Sequence, residues 1–484
     1  MPTRLASLPV PAADLAAGVL SDSNLLALAR SSRLLRRVTT KLSPKVLLGS
    51  CLGMVGAGSS SFFSLAGLAG VFADRSISRQ AVARRFGDPL RDFLRALLVQ
   101  VMGVQCAARA PVLAMLGPVR RILIQDSTTM KLHASLATHF PGSANACGGG
   151  AALKIQATLD LLAHSFVDFT LSGFTRNDQA AAPDVLTHLR AGDLVLRDLG
   201  YLTLESLRAI DTAAAFFVSR YSKMCVFRAD GTEFSLGGLL LEKKHAPGAC
   251  VDMPVLLGKA ALLPVRLVAI KLDAATAAER RRKALANRDK RMKPTAESLA
   301  LLDWAIYVTN LPRAEFSAPK ISALYGLRWR VEIVFKSFKS AGLRLPELLE
   351  GRKSKTQVEV LTHAALILAV FNARLSTTPE PGERKQTTTG KAKAPRSLLK
   401  SAKLVSLLLL PLLLQWLAPP GLSLRRRLHL LLTDHACYDS RKRTNFIETL
   451  AKTLALRRRA LITVAYATDS HGSSIRPGSR PFGF

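Results

Sequence analysis

Apolar and polar positions change their rhythm twice along the chain. Residues 1–120 carry apolar side chains at helical spacing. Leu20 to Val38 is rich in Leu, Ala and Arg behind a candidate cap at Asp22 or Ser23, and Gly53 to Gly70 is rich in small residues that pack closely. Ser76 to Phe86 reads as a short serine-capped helix ended by Gly87, with Pro89 opening the next. Two short helices around a basic face fit a helix-turn-helix laid on DNA. They fit equally a helical bundle with its arginines in solvent.

From Arg121 the period shortens. Ile122 to Gln125 reads as a buried strand ending at Asp126-Ser-Thr. A loop follows from Pro141 to Gly150, then a hairpin of Leu153 to Leu162 and Phe166 to Leu171, turning at Ala163-His164. Asn177 to Arg190 reads as a helix and Asp193 to Leu196 as a second buried strand, leading to Asp198. Strand, hairpin strand, hairpin strand, helix, strand is the ribonuclease-H-like order. A right-handed crossover lays the first and last of these strands side by side, which brings Asp126 and Asp198 together.

Residues 203–309 are too many for one loop. Strand-like runs at Phe216 to Ser219, Met224 to Arg228, Thr232 to Leu236 and Val265 to Leu272, with a turn at Asp230-Gly231, predict a β-rich insertion. Its exit, Glu279 to Lys293, is dominated by Lys and Arg and reads as a solvated or disordered run, or as one that tracks a nucleic acid backbone. Trp304 to Val308 is a last strand. Residues 310–375 then rejoin 121–202 in one core, 376–397 is a linker, 398–470 is helical again and 471–484 reads as a disordered tail. The expected fold class is mixed α/β: a ribonuclease-H-like catalytic core interrupted by a β-rich insertion, with helical N- and C-terminal regions.

Tyr325 to Lys339 has no Pro and no Gly beyond Gly326, and Val331, Val334, Phe335 and Phe338 recur at helical spacing, which predicts one helix. At roughly 100° per residue, Tyr325, Arg328, Glu332 and Lys339 fall on one stripe, and Lys336 lies one turn past Glu332. A glutamate is a hard oxygen ligand suited to Mg²⁺, and Arg328, Lys336 and Lys339 suit phosphate oxygens. The commonplace alternative is a solvated face of i,i+4 ion pairs. It gives way only if two further carboxylates arrive from strand ends. Taken singly, Asp126 and Asp198 would more often make an Asx turn.

Charge narrows the partners. The chain has 68 Lys and Arg against 34 Asp and Glu, a formal charge of +34. An excess of that size points to a polyanion, most often nucleic acid, and away from an ordinary metabolic enzyme. No membrane is expected: the N-terminus lacks the continuous apolar core of a signal peptide, and Leu404 to Leu417, interrupted by Pro411 and Gln415, falls short of the roughly 20 residues of a span and reads as a buried helix. The six cysteines show neither CxxC nor Cys/His ligand spacing, so reduced cytosolic thiols are the expectation. His133, His139 and His164 read as structural or exposed.

The chain resembles the DDE transposases of bacterial insertion sequences, specifically the insertion-sequence-four family marked by Tyr-x2-Arg-x3-Glu-x6-Lys. Tyr325, Arg328, Glu332 and Lys339 match that signature at every position, and Trp329 after the arginine is usual for it. Asp126-Ser-Thr and Asp198-Leu-Gly-Tyr201 match the motifs of the first and second aspartates, and Thr309-Asn310-Leu-Pro312 is similar too. The likeness runs from about Ser76 to Phe371.

The resemblance implies a Mg²⁺-dependent nuclease and strand transferase that excises a DNA element and joins it elsewhere. Asp126, Asp198 and Glu332 would be the catalytic metal ligands, and Tyr325, Arg328 and Lys339 would hold terminal phosphates, with Lys336 on the same face. Two Mg²⁺ ions about 4 Å apart are expected, with Mn²⁺ as a substitute. The partner is double-stranded DNA, both element ends and target, and two ends handled together imply a homodimer on DNA. The expected location is the cytoplasm, at the nucleoid when on DNA. A non-transposing Mg²⁺-dependent nuclease of the same fold and a domesticated DNA-binding protein are the alternatives; an intact acid triad argues against the second.

Overall fold

The computed structural model describes residues 18–417 apart from 36–41, 74–76, 104–115, 146–147, 223, 242–244, 287–293, 340–341 and 378–396. Most of the expected linker, the end of the basic run and everything expected beyond residue 417 lie outside the described residues.

Among the described residues, an 11-stranded sheet organises the fold. Its strands are β1 Arg121–Leu132, β2 Pro141–Asn145, β3 Gly148–Asp160, β4 Ser165–Gly173, β5 Asp193–Arg197, β6 Phe216–Arg220, β7 Val226–Phe227, β8 Glu233–Phe234, β9 Cys250–Leu257, β10 Leu263–Lys271 and β11 Trp304–Thr309. The run β4-β3-β1-β5-β6 has antiparallel β4/β3 and β3/β1 pairs and parallel β1/β5 and β5/β6 pairs, the ribonuclease-H-like order. β11 then pairs antiparallel with β6, and β10, β9, β7 and β8 continue outward. The expected insertion is therefore an extension of the core sheet, and β6, read as its first strand, is the fifth strand of the core.

Both faces of the sheet are covered, because its central strands are apolar on both sides. Ile122, Ile124, Leu194, Leu196, Val218, Val268 and Tyr307 belong to one large core. Their alternates Leu123, Val195, Phe217, Leu267, Ile306 and Val308 belong to a second. The period of two places consecutive residues on opposite faces.

The larger core is built with helices from both ends of the chain. These are α1 Asp22–Ser31, α2 Pro44–Ala57, α3 Phe62–Ala73, α4 Arg79–Ala83 and α5 Asp88–Gly103. Ser78 caps α4, which buries Val82 and packs on α3, so this stretch is part of a bundle. On the other face lie α6 Asp178–Ala181 and α7 Leu204–Thr212, the latter burying Leu207 and Ile210. The insertion adds α8 Leu236–Leu241, α9 Ala274–Leu285 and α10 Ala296–Leu301. After β11 come α11 Ala318–Gly326, α12 Arg330–Lys339, α13 Leu345–Leu349, α14 Lys355–Thr377 and α15 Leu398–Leu417. α14 packs on α5 and α15 on α2, which closes the bundle over the sheet.

Several expectations change. β1 does not end at Asp126 but runs on to Leu132, because Thr128 and Met130 stay paired with β3 after β5 has stopped. The expected loop Pro141 to Gly150 carries β2, paired back on β3. The expected helix Asn177 to Arg190 is one α-turn followed by a 3-10 helix, Ala182–His188, with Pro183 in its first turn. The start of the basic run is helical, within α9, with Asp273 as its cap. The stretch Tyr325 to Lys339 is broken by the 3-10 turn Leu327–Trp329 between α11 and α12. Among the described residues one helix is long and apolar enough to cross a membrane, Lys355–Arg374, and it is mostly buried inside the protein.

Candidate active site

The two aspartates meet because of strand register. β1 and β5 run parallel from Arg121↔Asp193 to Gln125↔Arg197, so the next residue of β1, Asp126, and the residue that follows β5, Asp198, leave the pairing at the same level. Alternation turns both toward the face that carries Ile124 and Leu196. The register is pinned at its start by a buried bidentate ion pair, Arg121 Nε to Asp193 Oδ1 at 2.8 Å and Nη2 to Oδ2 at 2.5 Å.

The glutamate arrives from above. α12 buries Val331, Val334, Phe335 and Phe338 against the core, which leaves Glu332 of its first turn half-buried at the end of the strands. The preceding 3-10 turn delivers Arg328, which is 8% exposed. Its Nη1 lies 3.1 Å from Asp126 Oδ2, and its Nη2 lies 3.7 Å from both Asp198 Oδ1 and Glu332 Oε1. Three acids far apart in sequence therefore surround one guanidinium.

Burial pushes the Asp126 carboxyl up to about 6, against the lowering influence of the Ser127 N–H and of Arg328. Tyr325 lies beside Arg328 with its ring on Tyr307, and burial pushes its hydroxyl up to about 12. Among the described residues, the Tyr325 hydroxyl and Arg328 Nε are buried without a hydrogen-bond partner within the distance and angle of a normal bond, two polar groups that an incoming oxygen ligand would satisfy. Lys336 and Lys339 follow on α12, both exposed. Asp126, Asp198, Glu332 and Arg328 come together, with Tyr325 beside Arg328, while Lys336 and Lys339 lie about one and two turns beyond Glu332 on α12.

Three carboxylates and one guanidinium leave a deficit of positive charge of the kind a divalent cation fills, and the donors are the hard oxygens such ions prefer. Among the described residues, no three His, Cys, Asp or Glu side chains already stand close enough to share one ion. Here the guanidinium lies between them. The donor set fits divalent-metal chemistry with Arg328 turned aside.

Sequence reading missed Asp178, whose Oδ1 accepts from Ser127 Oγ at 3.0 Å, and its neighbours Lys154 and Gln156. No local motif marks them, since their roles depend on a fold that brings α6 over β1 and β3.

A family profile described as "Transposase DDE domain" matches residues 117–368. The chain is 28% identical over 282 residues to the transposase of insertion sequence element IS231B of Bacillus thuringiensis subsp. berliner, covering 54% of this chain and 59% of that protein. It is 23% identical over 288 residues to the transposase of element IS1151 of Clostridium perfringens, covering 55% and 60%. In both cases the chain spans less than two thirds of the relative's own length. Among solved structures, piggyBac transposase in a synaptic complex with hairpin DNA aligns over 90% of this chain and 87% of that one, at 10% identity and a TM-score of 0.41, too low to argue from. The profile spans more than half of the chain and includes both aspartates and the glutamate; the protein belongs to the DDE-domain transposase family.

Proposed function

We propose that the protein is a DNA transposase that binds the ends of an insertion sequence, cleaves the DNA by metal-dependent phosphodiester hydrolysis and transfers the 3′-hydroxyl ends to target DNA. The observation that carries this reading is the convergence of Asp126, Asp198 and Glu332 on Arg328, within 3.1 to 3.7 Å. These acids would hold Mg²⁺, two ions in the proposed active form, with Mn²⁺ able to replace them. Bound there, the metal would neutralise charge between the attacking and leaving oxygens and lower the pKa of a water nucleophile.

The chain's own residues do the rest. Tyr325, Arg328, Lys336 and Lys339 would hold the phosphates of a DNA end, a reading supported by the buried Tyr325 hydroxyl and Arg328 Nε, which lack a hydrogen-bond partner among the described residues. Arg328 can meet a phosphate edge with two parallel N–H donors, which a lysine cannot. The net charge of +34 draws double-stranded DNA toward the site. Joining two ends to one target calls for a homodimer on DNA, at the nucleoid.

The test is a cell-free reaction with DNA carrying the sequence that flanks the gene, with Mg²⁺, Mn²⁺ or EDTA. Metal-dependent nicking at the element boundary followed by joining to a target plasmid is expected, and Asp126→Asn, Asp198→Asn and Glu332→Gln should each abolish both while DNA binding persists. Nicking without joining would leave a nuclease. A nicking-competent Asp198→Asn would remove that residue from the triad.

A further inference from the structure

The opposite face of the same two strands carries a buried polar layer. Alternation turns Gln125, Ser127 and Arg197 away from the acids, and β1 pairs Ser127 with Gln156 of β3, two residues from Lys154. Gln125, Gln156, Lys154 and Arg197 are 1%, 2%, 5% and 4% exposed. Apolar side chains cover this face lower down, at Leu123 and Val195. Below them the buried Arg121–Asp193 pair and Asp160 return polar groups to this face, so the layer at the level of the acids is one of two, and burial of each is tolerated only if it is paired.

The segment from Asp178 to Ala182 pairs them. Asp178 Oδ1 accepts from Lys154 Nζ at 2.7 Å, Ser127 Oγ at 3.0 Å and Gln156 Nε2 at 3.2 Å. The Ala181 carbonyl accepts from Gln125 Nε2 at 2.8 Å, and the Ala182 carbonyl from Arg197 Nη1 at 3.0 Å. Tyr201 packs on Ala181 and Ala182 and donates to Gln156 Oε1. A Cβ added to Gly200 would stand 3.1 Å from Asp178 Oδ2, so the chain after Asp198 passes close to the same carboxylate. One short segment thus touches Gln125 and Ser127 on either side of Asp126, and Arg197 before and Tyr201 shortly after Asp198.

We propose that Asp178 is a positioning residue for Asp126 and Asp198: its carboxylate, with the carbonyls of Ala181 and Ala182, clamps the two strand ends from behind and fixes the height at which the acids present their oxygens. The clamp sits where it is needed, since β1–β5 pairing stops at Gln125↔Arg197 and leaves both acids without ladder support between them. Hydrogen bonds are directional where apolar contacts are not, so they hold a strand end in rotation as well as in depth. The proposal rests on the reading of Asp126 and Asp198 as metal-holding acids.

The test measures Mn²⁺ binding to the full-length protein without DNA, by the electron paramagnetic resonance signal of free Mn²⁺, beside the affinity for a plain DNA duplex and thermal unfolding in EDTA. Asp178→Ala is expected to weaken Mn²⁺ binding by about 10- to 100-fold, the range typical of residues that orient metal ligands, with duplex affinity unchanged. Asp178→Asn keeps an acceptor oxygen and should recover part of the loss. Ser127→Ala should weaken binding less, and the double variant should match Asp178→Ala alone. Asp126→Asn is the control. If it loses Mn²⁺ while Asp178→Ala binds like the unsubstituted protein, the clamp is overturned and the acid triad stands. If Asp126→Asn itself binds normally, the reading of the acids falls and the proposal with it. Should Asp178→Ala not fold, unaltered Mn²⁺ binding by both Asp178→Asn and Ser127→Ala overturns the clamp.

Discussion

Arg328 Nη1 stands 3.1 Å from Asp126 Oδ2, and both side chains are largely buried. The positive charge at the centre of the acids is therefore the protein's own. Arg328→Ala would leave a buried carboxylate facing two others with nothing between them. In EDTA at neutral pH the variant is expected to lose about 2 kcal/mol of stability, less than a fully buried pair because Asp198 and Glu332 reach solvent. Added Mn²⁺ should then raise its urea midpoint by more than it raises that of the unsubstituted protein. Equal midpoints in EDTA would mean that the guanidinium does not hold the acids.

Asp126 gives the site a pH dependence. Its carboxyl moves from 3.8 up to about 6, with burial as the main cause. A raised acid holds its proton longer when folded, so its contribution to stability is complete below 3.8 and is lost as pH rises through about 6. Above that window the fold carries a buried charge at a cost of about 3 kcal/mol, from 1.36 kcal/mol per unit. Asp126→Asn, uncharged throughout, should lack that loss and be the more stable form in EDTA at neutral pH. Only the carboxylate takes a cation, so Mn²⁺ affinity of the unsubstituted protein should fall as pH drops below about 6. Parallel stability–pH curves for the two proteins would count against a buried, proton-holding Asp126.

How much of this was legible follows from which interactions are local. Asp126, Asp198 and Glu332 could be singled out because Asp126-Ser-Thr, Asp198-Leu-Gly-Tyr201 and the spaced Tyr325, Arg328, Glu332 and Lys339 leave marks within a few residues. The order of β1, β3, β4 and β5 was legible because each apolar run was short and bounded by turn residues. Asp178 was not, since its partners Ser127, Lys154 and Gln156 lie on two other strands and its own surroundings read as an ordinary helix start. The break at Leu327–Trp329 was hidden for a related reason: Leu, Arg and Trp are good helix residues, and nothing in their spacing separates a 3-10 turn from an α-turn. The continuation of the sheet through β11 and β10 was missed because sequence shows strands but not which edges they join.

The register that sets the two aspartates level depends on Arg121 and Asp193, whose side chains are 11% and 1% exposed. Asp193→Ala would leave a guanidinium buried without its partner and should cost about 3–5 kcal/mol by urea unfolding. Replacing both with apolar residues of similar size, as in Arg121→Met with Asp193→Leu, should recover most of it, because the desolvation of both charges is removed together. If the double variant is no more stable than Asp193→Ala, the pair is not an isolated charge couple and the Asp193 bond to the Arg190 N–H matters more.

Lys339 tests the DNA face apart from the chemistry. It closes the last turn of α12, exposed, so removing it takes away little packing. Its charge does favour the helix C-terminus, but an exposed end is worth only about 0.3–1 kcal/mol and should not unfold the domain. If Lys339 meets a phosphate, Lys339→Ala should weaken binding of a plain duplex and lower the salt slope of log affinity by about 0.9, the share of one phosphate contact. Metal binding by the acids should stay as it was, which separates this loss from that of Arg328. An unchanged slope would place Lys339 in solvent in the complex and leave the grip on DNA to Arg328, Lys336 and the basic helix α9.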